Sequence, residues 1–329
     1  MALEDLVGGT LAVGFHGTEP TEELVAALRR TRARSLVVFA RNFISPDQFR
    51  RLLAGLERGV GRRLLVMVDH EGGRIVRFSG GVTRFPSARE AAAARDPAAI
   101  ERQGLVEAQE LRALGVRVNL APCLDVAAAG ADPIIGDRSY GTDPALVAEL
   151  GAARIRGLQA GGVAACAKHF PGLGAVPRDP HLHLPTIGLE WTEMDMVHLV
   201  PFRAAIRAGA AMAMSSHACY PRLGDPPGLP ATFSPRLIRE LLRARLEFQG
   251  LMLTDDLEMG ALRSFGSIAE AAERAVKAGH DLLLICSDLE AAAYTVSHLC
   301  NLYSMNALDV TSLKESARRF ENFLNIFSK

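Results

Sequence analysis

The sequence predicts a single (β/α)8 barrel of the TIM type, an α/β fold, with residues 1–329 forming one domain. Three observations carry this. Eight short apolar runs recur along the chain, each followed by a helical stretch or a long loop. Such β–α alternation means parallel strands joined by right-handed crossovers, and eight units within roughly 300 residues suit a closed barrel. Charged or polar residues stand just beyond several runs, where a barrel presents its chemistry. The rival fold, a doubly wound open sheet, wants a glycine fingerprint after an early strand. Here Gly8 and Gly9 precede the first strand instead. No linker, low-complexity block or short internal repeat divides the chain.

The elements follow in order. Leu11 to Phe15 is the first run, then a helix from Thr21 to Thr31 and the second run, Ser35 to Phe39. Pro46 to Gly59 is helical with Ser45 as N-cap, and Leu64 to Val68 is the third run. Asp96 caps a helix from Pro97 to Gly115, with proline in its first turn, before the run Val118 to Ala121. Asp143 opens a helix from Pro144 to Ala160, closed by Gly161 and Gly162, and the fifth run is Val163 to Ala167. Glu190 to Ala208 is helical and Ala211 to Ser215 is the sixth run. Ser234 caps a helix from Pro235 to about Phe248, and Leu251 to Thr254 follows. A helical region fills Leu257 to Ala278 with a break at Gly266, Leu282 to Ile285 is the eighth run, and Asp288 opens a further helix. Thr311 to Phe327 reads as an amphipathic C-terminal helix that covers the barrel exterior.

Composition narrows the function class. Hydrophobic residues make up 49% and charged residues 22%, enough to bury a substantial core. The 37 basic and 37 acidic side chains balance, so no global field favours nucleic acid or an anionic membrane. No apolar run reaches the ~18 residues of a membrane span. The first residues lack a basic signal-peptide start. Five cysteines, Cys123, Cys166, Cys219, Cys286 and Cys300, form no C-x-x-C pair. They read as reduced thiols in a cytoplasmic, monomeric enzyme.

Candidate chemistry gathers at the run ends. The fifth run ends on Lys168 and His169, then Phe170-Pro171-Gly172-Leu173-Gly174 and a loop holding His181 and His183. Lysine occurs elsewhere only at 277, 314 and 329, so a chain rich in arginine keeps a compact ammonium here. A surviving surface lysine is the plainer account. His169 and Lys168 diverge if the strand continues and converge only if it bends. Asp69 ends the third run before Glu71-Gly72-Gly73-Arg74 and Arg77. It can accept hydrogen bonds from sugar hydroxyls, or merely cap the next element and pair with an arginine. Arg138 lies in the loop Gly136 to Gly141, where a solvated side chain is the alternative. Asp179 precedes His181 by two residues, across Pro180, and can orient its imidazole for alternating acid and base roles. An exposed histidine in a turn is the competing account. Asp255 ends the seventh run, facing the barrel mouth as a candidate nucleophile, while Asp256 is free to cap the next helix. His217 ends the sixth run and lines the same mouth. No metal set, Walker loop or dinucleotide fingerprint emerges, so no cofactor is expected.

Together these stretches resemble glycoside hydrolase family 3, in its single-domain β-N-acetylhexosaminidase branch. The family's D-x-E-G-G-R…R matches Asp69 to Arg77, and I-G-x-R-x-[FY]-G matches Ile135 to Gly141. K-H-F-P-G-x-G matches Lys168 to Gly174, D-x-H matches Asp179 to His181, and the S/T-D-D/A-L-x-M pattern matches Thr254 to Met259. Two positions depart from the branch: Leu173 replaces a usual histidine and Pro180 a usual serine. The resemblance implies a retaining two-step β-N-acetylglucosaminidase acting on cell-wall muropeptides. Asp255 is the implied nucleophile, and His181, oriented by Asp179, the acid/base. Asp69, Arg77, Arg138, Lys168 and His169 are implied to hold a terminal N-acetylglucosamine. A phosphorylase on the same barrel, using phosphate in place of water, is one alternative. A sugar-binding barrel without turnover is the other.

Overall fold

The computed structural model describes residues 2–327. Eight parallel strands close into a barrel in sequence order, β1 (Leu11–Val13), β2 (Ser35–Val38), β3 (Leu65–Val68), β4 (Val118–Asn119), β5 (Ala164–Phe170), β6 (Met212–Ser215), β7 (Leu251–Asp256) and β8 (Leu282–Ile285). Closure is direct: Ala12 of β1 pairs with Leu284 of β8. The helices are α1 (Leu3–Gly8), α2 (Glu22–Thr31), α3 (Pro46–Val60), α4 (Ala88–Ala92), α5 (Pro97–Ala113) and α6 (Pro144–Ala160). They continue with α7 (Trp191–Glu193), α8 (Leu199–Arg207), α9 (Ile268–Ala278), α10 (Leu289–Ser304) and α11 (Val310–Phe327). The expected caps are in place. Ser45, Asp96, Asp143 and Asp288 each accept a backbone N–H of the first turn of their helix.

Small and medium apolar side chains fill the barrel interior, among them Ala12, Val37, Met67, Val118, Cys166 and Leu253. Phe320, Phe323 and Phe327 of α11 join the same interior cluster. Asp281, just before β8, accepts hydrogen bonds from Ser316 and Arg319 of α11, both at 2.8 Å. Arg34, just before β2, pairs with Glu321. The C-terminal helix therefore plugs the barrel at the N-terminal ends of its strands. It was expected on the exterior; three phenylalanines on one face instead finish the core from below. The opposite mouth is left open for function.

Three helical expectations need correction. Glu190 to Ala208 is not one regular helix: a π-helical segment, Met194–His198, separates α7 from α8. Residues 235–248 hold a π-helical segment, Arg236–Arg245, rather than a regular helix. The stretch after β7 is not helical from Leu257: a turn leads to a 3-10 segment, Gly260–Phe265, and α9 starts only after Gly266, whose φ is +105°. Leucine and methionine in this stretch read as helix formers, but tertiary contacts override that preference. No described helix is long and apolar enough to cross a membrane.

His280 gives a pH signature to the fold. It is buried between its neighbours, with Nδ1 against the Ala275 carbonyl at 3.1 Å and Nε2 against Ser215 Oγ at 2.9 Å. Burial pushes its pKa down to about 4. In the unfolded chain it titrates near ~6.5. The stability from keeping it neutral is thus full above that value and declines as pH falls towards 4. The stability difference between wild type and His280→Gln, read by urea unfolding, should stay level above pH 7. It should shrink by roughly 2–4 kcal/mol between about pH 6.5 and pH 4. A difference independent of pH would show that the imidazole titrates alike in the folded and the unfolded chain.

Candidate active site

The strands end in a cavity of about 280 Å³ at their C-terminal mouth. Its floor includes Asp255, which sits inside the last two residues of β7. Asp255 Oδ1 accepts the backbone N–H of Asp256 at 2.9 Å. Burial opposes ionisation, but the nearby His169, His217 and Lys168 overcome it and hold the carboxyl below its ordinary pKa. Asp256 lines the same cavity rather than capping a helix. The β7–β8 pairing shifts register between Leu253 and Asp256, so strict alternation of the two carboxylates is lost. Asp256 Oδ1 accepts the N–H of Glu258 at 3.1 Å and of Cys286 at 3.3 Å. Burial pushes its pKa up to about 7.

Across the cavity stands a charge cluster built from three strand exits. Lys168 Nζ bonds Asp69 Oδ1 at 2.6 Å and Glu71 Oε1 at 2.7 Å. Arg138 grips the same Glu71 with one edge of its guanidinium, Nε to Oε2 at 2.9 Å and Nη2 to Oε1 at 2.7 Å. Burial alone would raise the Glu71 carboxyl, yet Arg138 and Lys168 hold it far below the usual range. Burial would lower the Lys168 ammonium, and Asp69 and Glu71 raise it instead, so it stays charged. Arg77 Nη2 lies 3.9 Å from Asp69 Oδ2, and its Nε has no partner among the described residues. Arg74 turns away to Asp137 at 2.7 Å.

The β3 exit is held from behind. Asn119 of β4 accepts the His70 N–H at 3.0 Å, donates to the His70 carbonyl at 2.8 Å, and reaches Glu107 Oε1 at 3.2 Å. Glu107 in turn pairs with Arg154 between α5 and α6, both fully buried. A helix-to-helix ion pair thus fixes the loop that carries Asp69 and Glu71.

His169 and Lys168 both reach the cavity. The β5–β6 register shifts between Ala167 and Phe170, so the strand bends at this point. The Lys168–His169, Phe170–Pro171 and Ala121–Pro122 peptides are cis. His169 Nδ1 contacts Asp125 Oδ2 at 2.7 Å, leaving Nε2 towards Arg138 at 3.4 Å. Asp125 is fully buried and also accepts the Leu173 N–H at 2.6 Å. Leu173 is itself buried at 2% exposure, filling its place with an apolar side chain. Among the described residues, Cys123, Asp125 and His169 bring three possible metal donors within 4.8 Å of one another. Those atoms already satisfy each other: burial and the Asp125 charge push the thiol up, and it donates to Asp125 at 3.3 Å.

The loop after β5 carries the last partners. His181 lines the cavity, and its Nδ1 contacts Asp179 Oδ1 at 2.7 Å. The same oxygen accepts the His181 backbone N–H at 2.8 Å. These two bonds turn the ring so that Nε2 has no partner among the described residues. Burial works against the Asp179 charge, but the bonds from His181 hold its carboxyl below the ordinary range.

Asp69, Arg77, Arg138, Lys168, His169, His181 and Asp255 therefore meet at one cavity, with Asp179 behind His181. His217 stands outside its lining. It is 1% exposed, with Nδ1 on Thr232 Oγ1 at 2.6 Å and Nε2 on the Asp256 carbonyl at 2.9 Å. Both nitrogens are spoken for, so it braces the β7 exit. Sequence reasoning passed over Glu71, Asp125 and Asp256 as site residues. Glu71 lies inside the Asp69 stretch, so its position was a usable signal. Asp125 follows a run by four residues and offered only its placement after a strand.

Residues 3–322 match the family described as "Glycosyl hydrolase family 3 N terminal domain". A β-hexosaminidase of Nitrosomonas eutropha is 37% identical over 312 residues, covering 93% of this chain and 88% of the relative. A solved glycoside hydrolase family 3 β-N-acetylglucosaminidase from Paenibacillus sp. is 34% identical with a TM-score of 0.94. The whole of this chain aligns there, but it spans only 63% of that longer protein. NagZ from Neisseria gonorrhoeae, solved with N-trifluoroacetyl-D-glucosamine, is 32% identical with a TM-score of 0.82, covering 96% of this chain and 89% of the other.

Proposed function

The chain belongs to glycosyl hydrolase family 3, and from that premise we propose that it is a retaining β-N-acetylglucosaminidase built as one catalytic barrel domain. The observation that carries the reading is the pairing, across one cavity, of an ionised Asp255 with a His181 whose ring is turned by Asp179. Asp255 attacks the anomeric carbon as the bond to the leaving oxygen breaks. His181 gives that oxygen its Nε2 proton. In the second step water adds to the anomeric carbon, His181 takes the water's proton, and the bond to Asp255 breaks. The usual two-carboxyl arrangement of retaining enzymes is thus replaced on one side by an Asp–His pair. Asp69, Lys168, Arg77, Arg138 and His169 hold the non-reducing N-acetylglucosamine through its hydroxyls. The likeness to a β-hexosaminidase and to NagZ solved with N-trifluoroacetyl-D-glucosamine supports the sugar class. A muropeptide substrate, a monomeric state and a cytoplasmic setting complete the proposal; five free cysteines support a reducing compartment.

Mass spectrometry after treatment with a 5-fluoro N-acetylglucosaminyl fluoride tests this directly. The covalent label is expected on the peptide bearing Asp255. A label on another carboxylate would move the nucleophile. Accumulation of N-acetylglucosamine-1-phosphate in phosphate buffer would replace hydrolysis by phosphorolysis.

A further inference from the structure

The loop that carries His181 is anchored at three places. Near its start, Ala128 donates to the Gly174 carbonyl at 2.9 Å and Asp132 to that of Val176 at 2.8 Å, tying it to the loop after β4. At its far end, Ile187 donates to the Cys219 carbonyl and Cys219 to that of Pro185, both at 2.9 Å, tying it to the loop after β6. Between these shoulders, the Asp179–His181 turn meets the turn that follows β7. Gly260 donates to the His181 carbonyl at 2.9 Å, and Ala261 donates to the Pro180 carbonyl at 3.2 Å. Pro180 is buried at this contact while His181 and Leu182 are exposed.

Gly260 is the residue that lets the two turns touch. A Cβ built on it would lie 2.5 Å from the His181 carbonyl oxygen and 2.9 Å from that of Leu182. Both are backbone atoms, so a methyl group can be accommodated only if the loop retreats. The Gly260 backbone itself is not in the left-handed region. Alanine therefore fits the local conformation, and the added methyl strains only the contact between the two turns. Gly260 follows Asp255 by five positions on the same strand exit. The contact thus references the proton-handling arm to the element that carries the nucleophile.

We infer that Gly260 is a positioning residue for the reaction: its bare Cα and N–H seat the His181 backbone against the β7 exit and fix the imidazole over the scissile bond. The inference rests on reading His181 as the acid/base. Its signature is a dependence on the leaving group, which simple damage to the barrel does not produce. Proton donation matters for a poor leaving group and little for a 2,4-dinitrophenolate.

The experiment compares Gly260→Ala and His181→Ala with wild type on aryl N-acetylglucosaminides of graded leaving-group acidity. For a 4-methylphenyl glycoside, kcat/KM should fall about 10- to 100-fold in Gly260→Ala and about 100-fold or more in His181→Ala. For the 2,4-dinitrophenyl glycoside both should lie within about 3-fold of wild type. Ala261→Pro, which removes the other hydrogen bond without adding an atom at His181, should shift the same way. Equal losses of Gly260→Ala on all leaving groups, or none, would overturn the positioning role while His181→Ala still shows the dependence. A flat response in His181→Ala as well would overturn the acid/base reading, and this inference with it.

Discussion

Asp255→Ala is expected to lower kcat by about 10³-fold or more, even on an activated aryl N-acetylglucosaminide, because the covalent route disappears with its nucleophile. The choice among the cavity's carboxylates is physical. Asp69 gives one oxygen to Lys168 at 2.6 Å, and Glu71 is consumed by Arg138 and Lys168. Burial pushes Asp256 up to about 7, so it holds its charge less readily than Asp255. Asp255 is kept ionised, and among the described residues only the backbone N–H of Asp256 bonds its Oδ1. Azide supplies a decisive readout. In Asp255→Ala it should enter the emptied space, restore part of the turnover and yield the α-glycosyl azide, because a single displacement inverts the anomeric carbon. In His181→Ala, Asp255 still acts first, so azide intercepts the glycosyl-enzyme and yields the β-azide. A β-azide from Asp255→Ala would mean that another group forms the covalent intermediate.

The barrel was readable in the chain because its strands are buried on both faces. Runs such as Val163 to Ala167 are then unbroken apolar stretches, and their ends are marked by a change to charge. Side chains on strand exits inherit that clarity, which is why Asp69, Lys168 and Asp255 were found at the mouth. Residues whose role depends on a bend or a second contact were not. Asp256 reads from the sequence as a helix cap, but the register shift beside it turns it to the cavity instead. His217 was assigned to the mouth by its place after β6, but Thr232 and the Asp256 carbonyl capture both its nitrogens. Gly260 carries no chemistry of its own. Its role appears only when the loop after β5 is laid on the turn after β7, an encounter between segments about 80 residues apart that no local pattern encodes. The C-terminal helix illustrates the same limit: its amphipathic face is visible, but not that the barrel's own interior receives it.

Glu71→Ala should be the most damaging change that leaves the reacting groups untouched. Its carboxylate is 7% exposed and neutralises two cations, Lys168 at 2% and Arg138 at 10% exposure. Removing it leaves Lys168 with Asp69 and Arg138 with no carboxylate at ion-pair distance among the described residues, and breaking such a buried pair costs about 3–5 kcal/mol. Glu71→Gln keeps the shape and one acceptor, so it should cost less while still losing the charge. The acid dependence separates the two effects. Arg138 and Lys168 hold the folded carboxyl far below its unfolded value, near ~4.3. Its contribution is therefore present above about pH 4.3 and lost only as pH falls further, towards the folded pKa. The stability gap between wild type and Glu71→Gln should stay level from pH 8 to pH 5 and close in stronger acid. Activity should follow geometry rather than charge alone. Arg138 and Lys168 line the cavity, and a shift of about 1 Å in groups that position a substrate can cost about 10²-fold in rate. A Glu71→Ala enzyme with wild-type kcat/KM at a temperature where it remains folded would mean that Asp69 alone holds the two cations in place.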